Sequence, residues 1–303
     1  RPPSTSATLI EGTWRCSRSR SKLATMSPSV LASAPKAGRP LASTAAPPAI
    51  TTRRGNEGNR KRQRLYGLMN RAARQVLCVS EAARDHAQRT EGLDSRRVQV
   101  IPNGLELDPY LAVSRPERPM RVIGTVGRLR RIKGSDLLLD AFSRLGRPDL
   151  TLSIAGPVFE DESLTRELWG KQLYDAHKDN PQVEFVGEIH DIPAFHTAID
   201  LFVLPSRSEG MSNALIEAMA SGLPIIATNV GGNPETLGHG EAGVLVEPDP
   251  GAIADAIERL LARPEEARAL GMRARERAVR EYRLETMVRR YEQLYQSLLH
   301  GTH

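Results

Sequence analysis

From about residue 64 onward the chain alternates short apolar runs with segments of helical period, and this alternation constrains the fold more than any other feature. Runs this short read as strands covered on both faces, and a helical period between two of them is the crossover that a parallel pair requires. The expected strands are residues 76–79, 98–101, 122–126, 150–155, 183–186, 201–204, 223–227 and 243–246. The six from 122 to 246 suffice for one α/β, Rossmann-like parallel sheet with helices on both faces. After residue 126, Leu138, Ala141, Phe142 and Leu145 follow helical spacing, with Ser135 placed to cap the start. A separate apolar stripe, Met287, Val288, Tyr291, Leu294, Tyr295 and Leu298, comes after the sheet is already covered, so this last helix docks elsewhere.

The segment ahead of this pattern is different in kind. Of its first 52 residues 16 are Ser or Thr, and the first Phe of the chain is Phe142, so too little apolar area is available to offset the entropy of ordering. Residues 1–60 are therefore expected to be disordered and of low complexity. They also explain the charge. The formal net charge is +6, yet residues 1–64 alone hold 13 Lys and Arg against two Asp and Glu, which leaves the rest mildly acidic. Trp14 is the single aromatic residue in this stretch, so no nucleic-acid partner is expected. With two cysteines at no metal-ligand or redox spacing, neither a zinc site nor a disulfide framework is indicated, and a reducing, cytoplasmic setting fits best. No apolar run reaches the length of a membrane span, although a membrane-surface location stays open.

Two loops carry chemistry. The first, Gly127 to Gly134, joins a buried strand to a helix; Gly127 lets backbone approach a ligand, and Arg128 and Lys133 bring two cations to the carboxyl edge of the sheet. The spacing is that of neither a Walker loop nor a Gly-x-Gly-x-x-Gly turn, and a solvated basic turn is the plain alternative. The second, Pro205 to Glu217, is again strand, loop and helix. If the helix begins near Met211, Gly210, Asn213 and Glu217 line up on the face away from the sheet. Glu209 and Glu217 then bracket a helix N-terminus, whose unpaired amides and dipole form an anion site. Each carboxylate alone reads as an ordinary surface residue. Both loops together ask for a ligand that is negatively charged and rich in hydroxyls.

The blocks Gly124-Thr125-Val126-Gly127-Arg128-Leu129 with Lys133-Gly134, Leu152 to Gly156, Val183 to Gly187, and Glu209 to Glu217 followed by Ala218 to Pro224 resemble glycosyltransferase family four. Its most diagnostic element is the Glu-x7-Glu pair. The resemblance runs from about Arg64 to Leu299 and implies the donor-binding half of a retaining enzyme with two Rossmann-like domains. It implies that Arg128 and Lys133 hold a donor pyrophosphate and that backbone amides at Gly210, Met211 and Ser212 add to that site. It implies further that Glu209 contacts the transferred sugar, that Glu217 takes the ribose, and that Gly187-Glu188-Ile189 lies against the base. Gly127 and Asn213 complete the expected donor-contacting set, with Arg128, Lys133 and Glu209 carrying the catalysis and no metal or cofactor required.

The same resemblance implies a remnant of the acceptor domain at residues 61–105, a linker at 106–118, a donor domain at 119–283 and a C-terminal helix at 284–303 that packs back toward the remnant. Family members place about half of the protein before the linker, including a glycine-rich loop and a histidine not found before Arg64. The expectation is therefore transfer of a sugar from a nucleoside diphosphate sugar to a sugar or lipid-linked acceptor, with retention. Two alternatives stay open: a nucleotide-sugar epimerase of related fold, and a truncated fragment that binds donor without turnover.

Overall fold

The computed structural model describes residues 75–300 apart from 116–117 and 159–167, and, ahead of them, three strands together with Asn70 and Ala73. The chain divides into two compact units, Arg1–Pro47 and Pro48–His303. In the first, β1 (Ala7–Ile10) and β2 (Thr13–Cys16) form an antiparallel pair. The reading of residues 1–60 as disordered otherwise lies outside the described residues.

The second unit opens with β3 (Ile50–Arg53), β4 (Gln75–Cys78), α1 (Glu81–Glu91) and β5 (Val98–Val100), whose strands pair in parallel in the order β3-β4-β5. The pairing thus starts at residue 50, inside the stretch expected to lack strands. A short helix α2 (Asp108–Leu111) follows. The segment 106–118 is not merely a spacer. Leu107 and Val113 are buried, and Arg115 donates to the carbonyls of His196, Ile199 and Asp200, while the Arg118 guanidinium pairs with Asp200 at 2.7 Å. The other Asp200 oxygen accepts from the amides of Arg121 and Val122, each at 2.9 Å. One buried carboxylate thereby ties this segment to the first strand of the larger sheet.

That sheet holds β6 (Val122–Val126), β7 (Thr151–Ala155), β8 (Val183–Gly187), β9 (Leu201–Leu204), β10 (Ile225–Thr228) and β11 (Val244–Val246). All pairings are parallel, in the order β11-β10-β9-β6-β7-β8. The crossovers are α3 (Ser135–Leu145), α4 (Leu168–His177), α5 (Ile192–Ala198), α6 (Asn213–Ala220) and α7 (Asn233–Thr236), and the chain ends in α8 (Pro250–Ala262), α9 (Pro264–Glu281) and α10 (Leu284–His300). Strands β9 and β10 are buried at every residue because helices cover both faces, which is why Leu201–Leu204 and Ile225–Ala227 read as apolar runs. One core, with Phe202, Leu204, Ile225 and Ala227, packs on α6 and α9; the opposite core, with Ile123, Leu152, Leu201 and Val203, packs on α3 and α8.

Ser135 does not cap α3. The N-cap is Gly134 in the left-handed region at φ 69°, and Ser135 is the first helical residue, buried with 4% exposure. No helix among the described residues is long and apolar enough to cross a membrane. The stripe of α10 packs Leu294 and Leu298 against Leu77 and Ile101 of the smaller sheet, with Met287 and Tyr291 beside them. The two passages of the chain between the sheets also pair with each other, Leu105 donating to Tyr282 O at 2.9 Å and Leu284 to Leu105 O at 3.0 Å.

Candidate functional site

In the order β11-β10-β9-β6-β7-β8 the chain direction of construction reverses between β6 and β9, and the crevice at the carboxyl ends of those two strands is where open parallel sheets bind ligands. Both chemical loops leave from it: Gly127 to Gly134 after β6, and Pro205 to Ser212 after β9. They touch at several points, through residues 131–134 of the first and 205–209 of the second. A Cβ on Gly134 would lie 1.9 Å from Pro205 O, so only glycine lets the two backbones approach so closely. Arg207 donates its amide to Ile132 O at 2.8 Å and one guanidinium nitrogen to Arg131 O at 2.7 Å, while its fork pairs with Asp136 through two contacts of 2.7 Å.

Lys133 and Glu209 meet in this crevice. Lys133 Nζ lies 2.6 Å from Glu209 Oε1, which also accepts from the Ser206 hydroxyl at 2.7 Å. Glu209 is only 8% exposed and Ser206 is fully buried. A third loop, after β10, closes against the backbone of Glu209 and Gly210. A Cβ on Gly231, whose φ is +54°, would lie 1.7 Å from Glu209 O, and one on Gly232 would lie 2.2 Å from Gly210 O. On the other side of Lys133, the residues that follow β6, β7 and β8 hold one another: Gly127 donates to Ala155 O and Gly156 to Gly187 O, both at 2.8 Å. Arg128 is exposed at the rim beyond Gly127.

The helix that follows Glu209 starts later than the sequence suggests. It begins at Asn213 rather than near Met211, because the Ser212 hydroxyl accepts from Leu215 N at 3.4 Å and serves as the cap. Glu209, Gly210 and Met211 therefore lie in the loop ahead of it. Met211 Sδ accepts from the Asn103 amide at 3.2 Å, and Asn213 Oδ1 accepts from Asn103 Nδ2 at 2.9 Å, so both side chains are turned to the segment that follows β5. Glu217 sits one turn along α6 and faces Tyr110 of α2. Burial raises its carboxyl pKa, and a hydrogen bond with Tyr110 partly offsets the rise; burial, then the Glu217 charge, pushes the Tyr110 hydroxyl above its ordinary range. Ile189, beyond Gly187, is partly buried against the core under α6.

Of the residues singled out from sequence, Gly127, Lys133, Glu209 and Gly210 come together in one crevice, with Arg128 at its rim and the Ser212 cap behind it. Sequence reasoning missed Ser206, the Arg207–Asp136 fork, Gly156, Gly231 with Gly232, and Tyr110. Gly231-Gly232-Asn233-Pro234 was legible as a turn after a buried strand, since paired glycines ahead of a proline mark one. Nothing in the pattern distinguishes Ser206 from Ser208. Chemically the crevice offers a cation, a buried carboxylate with one oxygen engaged, and backbone unobstructed by side chains. Among the described residues no three His, Cys, Asp or Glu are grouped to hold a metal ion.

The chain matches two profiles of known glycosyltransferases. A profile described as "Glycosyl transferases group 1" matches residues 120–263, and one described as "Glycosyltransferase Family 4" matches residues 3–109, beginning inside the stretch read as low complexity. The chain is 31% identical to the alpha-maltose-1-phosphate synthase of Mycolicibacterium smegmatis over 70% of its own length and 60% of that protein's. It is 32% identical to the lipopolysaccharide core biosynthesis mannosyltransferase of Rhizobium meliloti, over 69% and 60%. The chain thus spans less than two thirds of the length of these relatives. Among solved structures, sucrose-phosphate synthase from Thermosynechococcus elongatus superposes with a TM-score of 0.69 at 28% identity, covering 81% of this chain and 63% of that one. Anabaena Alr3699/HepE superposes with a TM-score of 0.73 at 22% identity, covering 82% and 72%, which shows a shared fold.

Proposed function

We propose, from the premise that this chain belongs to glycosyltransferase family 4, that it takes a sugar from a nucleoside diphosphate and passes it to a hydroxyl acceptor with retention at the anomeric carbon. The observation that carries the reading is the Lys133–Glu209 contact of 2.6 Å at the crevice between β6 and β9. A cation that can meet a leaving diphosphate and a carboxylate that can meet a sugar hydroxyl stand side by side there. Lys133, Arg128 and the amides of Gly210 to Ser212 hold the diphosphate and stabilise its charge as the glycosidic bond breaks. Glu209 orients the sugar while it becomes oxocarbenium-like. Glu217 accepts from the ribose, and the turn at Gly187 and Ile189 lies along the base.

Retention without a separate base is served by a donor phosphate oxygen that takes the acceptor proton on the same face. The reading needs no resident metal or cofactor, because Lys133 and Arg128 supply the positive charge. The epimerase alternative is not carried further: it requires an acid and a base on the sugar, and the relatives are named as synthases and transferases.

Calorimetry with UDP, GDP and ADP and their glucosyl or mannosyl forms tests the proposal. Ligand at about 100 times its dissociation constant should stabilise the fold by roughly 2.7 kcal/mol. Glu209→Ala should weaken the sugar nucleotide more than the bare diphosphate, whereas Glu217→Ala should weaken both. No binding by any of these ligands sinks the reading, and equal losses for both ligand classes in Glu209→Ala remove the assigned sugar contact.

A further inference from the structure

Two donors converge on one oxygen of Glu209, and they differ in kind. Lys133 sits on a single 3-10 turn, and its side chain is 33% exposed at the end of four rotatable bonds. Ser206 is fully buried, and its own carbonyl accepts from the buried Thr228 hydroxyl at 2.5 Å, which anchors it to the end of β10. Among the described residues no donor reaches Glu209 Oε2. The carboxylate therefore presents one engaged oxygen toward the protein and one open acceptor.

A diphosphate entering the crevice competes with Glu209 for the Lys133 ammonium, since both are anionic and a lysine is a mobile point charge. Ser206 has no such freedom, because its hydroxyl is shielded from ligand and solvent and its backbone is tied to Thr228. We propose that Ser206 is a positioning residue: its hydrogen bond holds Glu209 in place when Lys133 turns to the diphosphate, so that Oε2 stays aimed at a sugar hydroxyl. The proposal rests on the donor-site reading given above. It assigns Lys133 to the phosphate and Ser206 to the geometry of the sugar contact. A serine that only satisfied a buried carboxylate would affect stability alone, with no preference between ligands.

The test compares ligands on the full chain, using the UDP, GDP or ADP pair that the wild type binds. Ser206→Ala removes the donor, Ser206→Cys keeps the volume with a poor donor, and Ser206→Thr keeps the hydroxyl. Loss of a charge-assisted hydrogen bond predicts that Ser206→Ala and Ser206→Cys weaken the sugar nucleotide about tenfold or more, with less than about a twofold change for the bare diphosphate. Ser206→Thr should recover most of the loss. Equal weakening of both ligands, or no weakening of either in a folded Cys variant, overturns the proposal. A wild-type chain that binds none of the diphosphates overturns the donor-site reading itself and takes this inference with it, and that result is read before any variant is made.

Discussion

His196 on α5 is fully buried, and its hydrogen bonds define its protonation. Ser221 donates its hydroxyl to Glu217 O at 3.0 Å, so at 2.8 Å it accepts from His196 Nδ1, which carries the ring proton. Nε2 is left without a partner among the described residues, and the Tyr110 and Phe202 rings lie 5.9 and 6.0 Å from the His196 ring, centroid to centroid. A proton there would be a buried cation near Arg115. Burial first, then Arg115, lowers the pKa from 6.5 to about 4. The unfolded chain binds this proton below about pH 6.5 while the native chain refuses it until about pH 4, so stability falls as pH falls through that window, by roughly 3 kcal/mol at its lower end. Denaturant melts of the wild type and His196→Asn, which keeps a donor toward Ser221, should diverge between pH 6.5 and 4, with the variant losing less. Parallel curves would show that the ring is not held neutral.

The ends of elements do more than terminate them. The first amides of α1, at Glu81 and Ala82, donate to the two oxygens of Glu235 at 2.7 Å each, and the Ala83 amide donates to Ser80 Oγ at 3.1 Å. Arg277 steadies the Glu235 backbone through carbonyl contacts of 2.9 Å at Glu235 and Thr236. A helix of the smaller sheet is thus capped by a carboxylate of the larger one. Removing it in Glu235→Ala should cost about 1–2 kcal/mol and speed amide exchange in the first turn of α1, as for loss of an N-cap; unchanged exchange there would mean that the carboxylate adds nothing. Gly134 is the corresponding joint between the two chemical loops. With φ at 69° and Pro205 O in the way of a Cβ, Gly134→Ala combines left-handed strain with a clash and should cost about 1–3 kcal/mol. Diphosphate binding should fall with it, whereas a variant that binds normally would show the loops to be independent.

Among the contacts far apart in sequence that hold the two parallel sheets of the second unit are the Glu235 cap, the pairing of Leu105 with Leu284, and the docking of α10. Burial of Leu294 and Leu298, each 4% exposed, makes the last of these the apolar one. Leu294→Ala or Leu298→Ala should cost about 2–5 kcal/mol, the range for leucines that leave a cavity. If docking is what orders α10, brief trypsin digestion should then cut at Arg289 and Arg290 well before global unfolding. Cleavage as slow as in the wild type would place the energy of α10 in its own helix and not in the interface.

The strands and the parallel sheet were legible because residues buried on both faces are overwhelmingly apolar, as in Leu201–Leu204 and Ile225–Ala227. The chemistry of the loops was legible as residue type: glycines where backbone must pass, a lysine, and two carboxylates eight positions apart. Adjacency was not. Apolar runs are interchangeable as strands, so the pattern does not say that β6 lies beside β9, which is what brings Lys133 within 2.6 Å of a carboxylate 76 residues away. Nor does it separate the serine that reaches Glu209 from its neighbours, or predict that Ser212 rather than Met211 governs the start of α6. Those facts depend on which groups remain unpaired once the layers close, because a buried donor or acceptor costs free energy until it finds its partner. Local pattern determined the elements and the reagents; packing of the closed sheet decided which reagents meet.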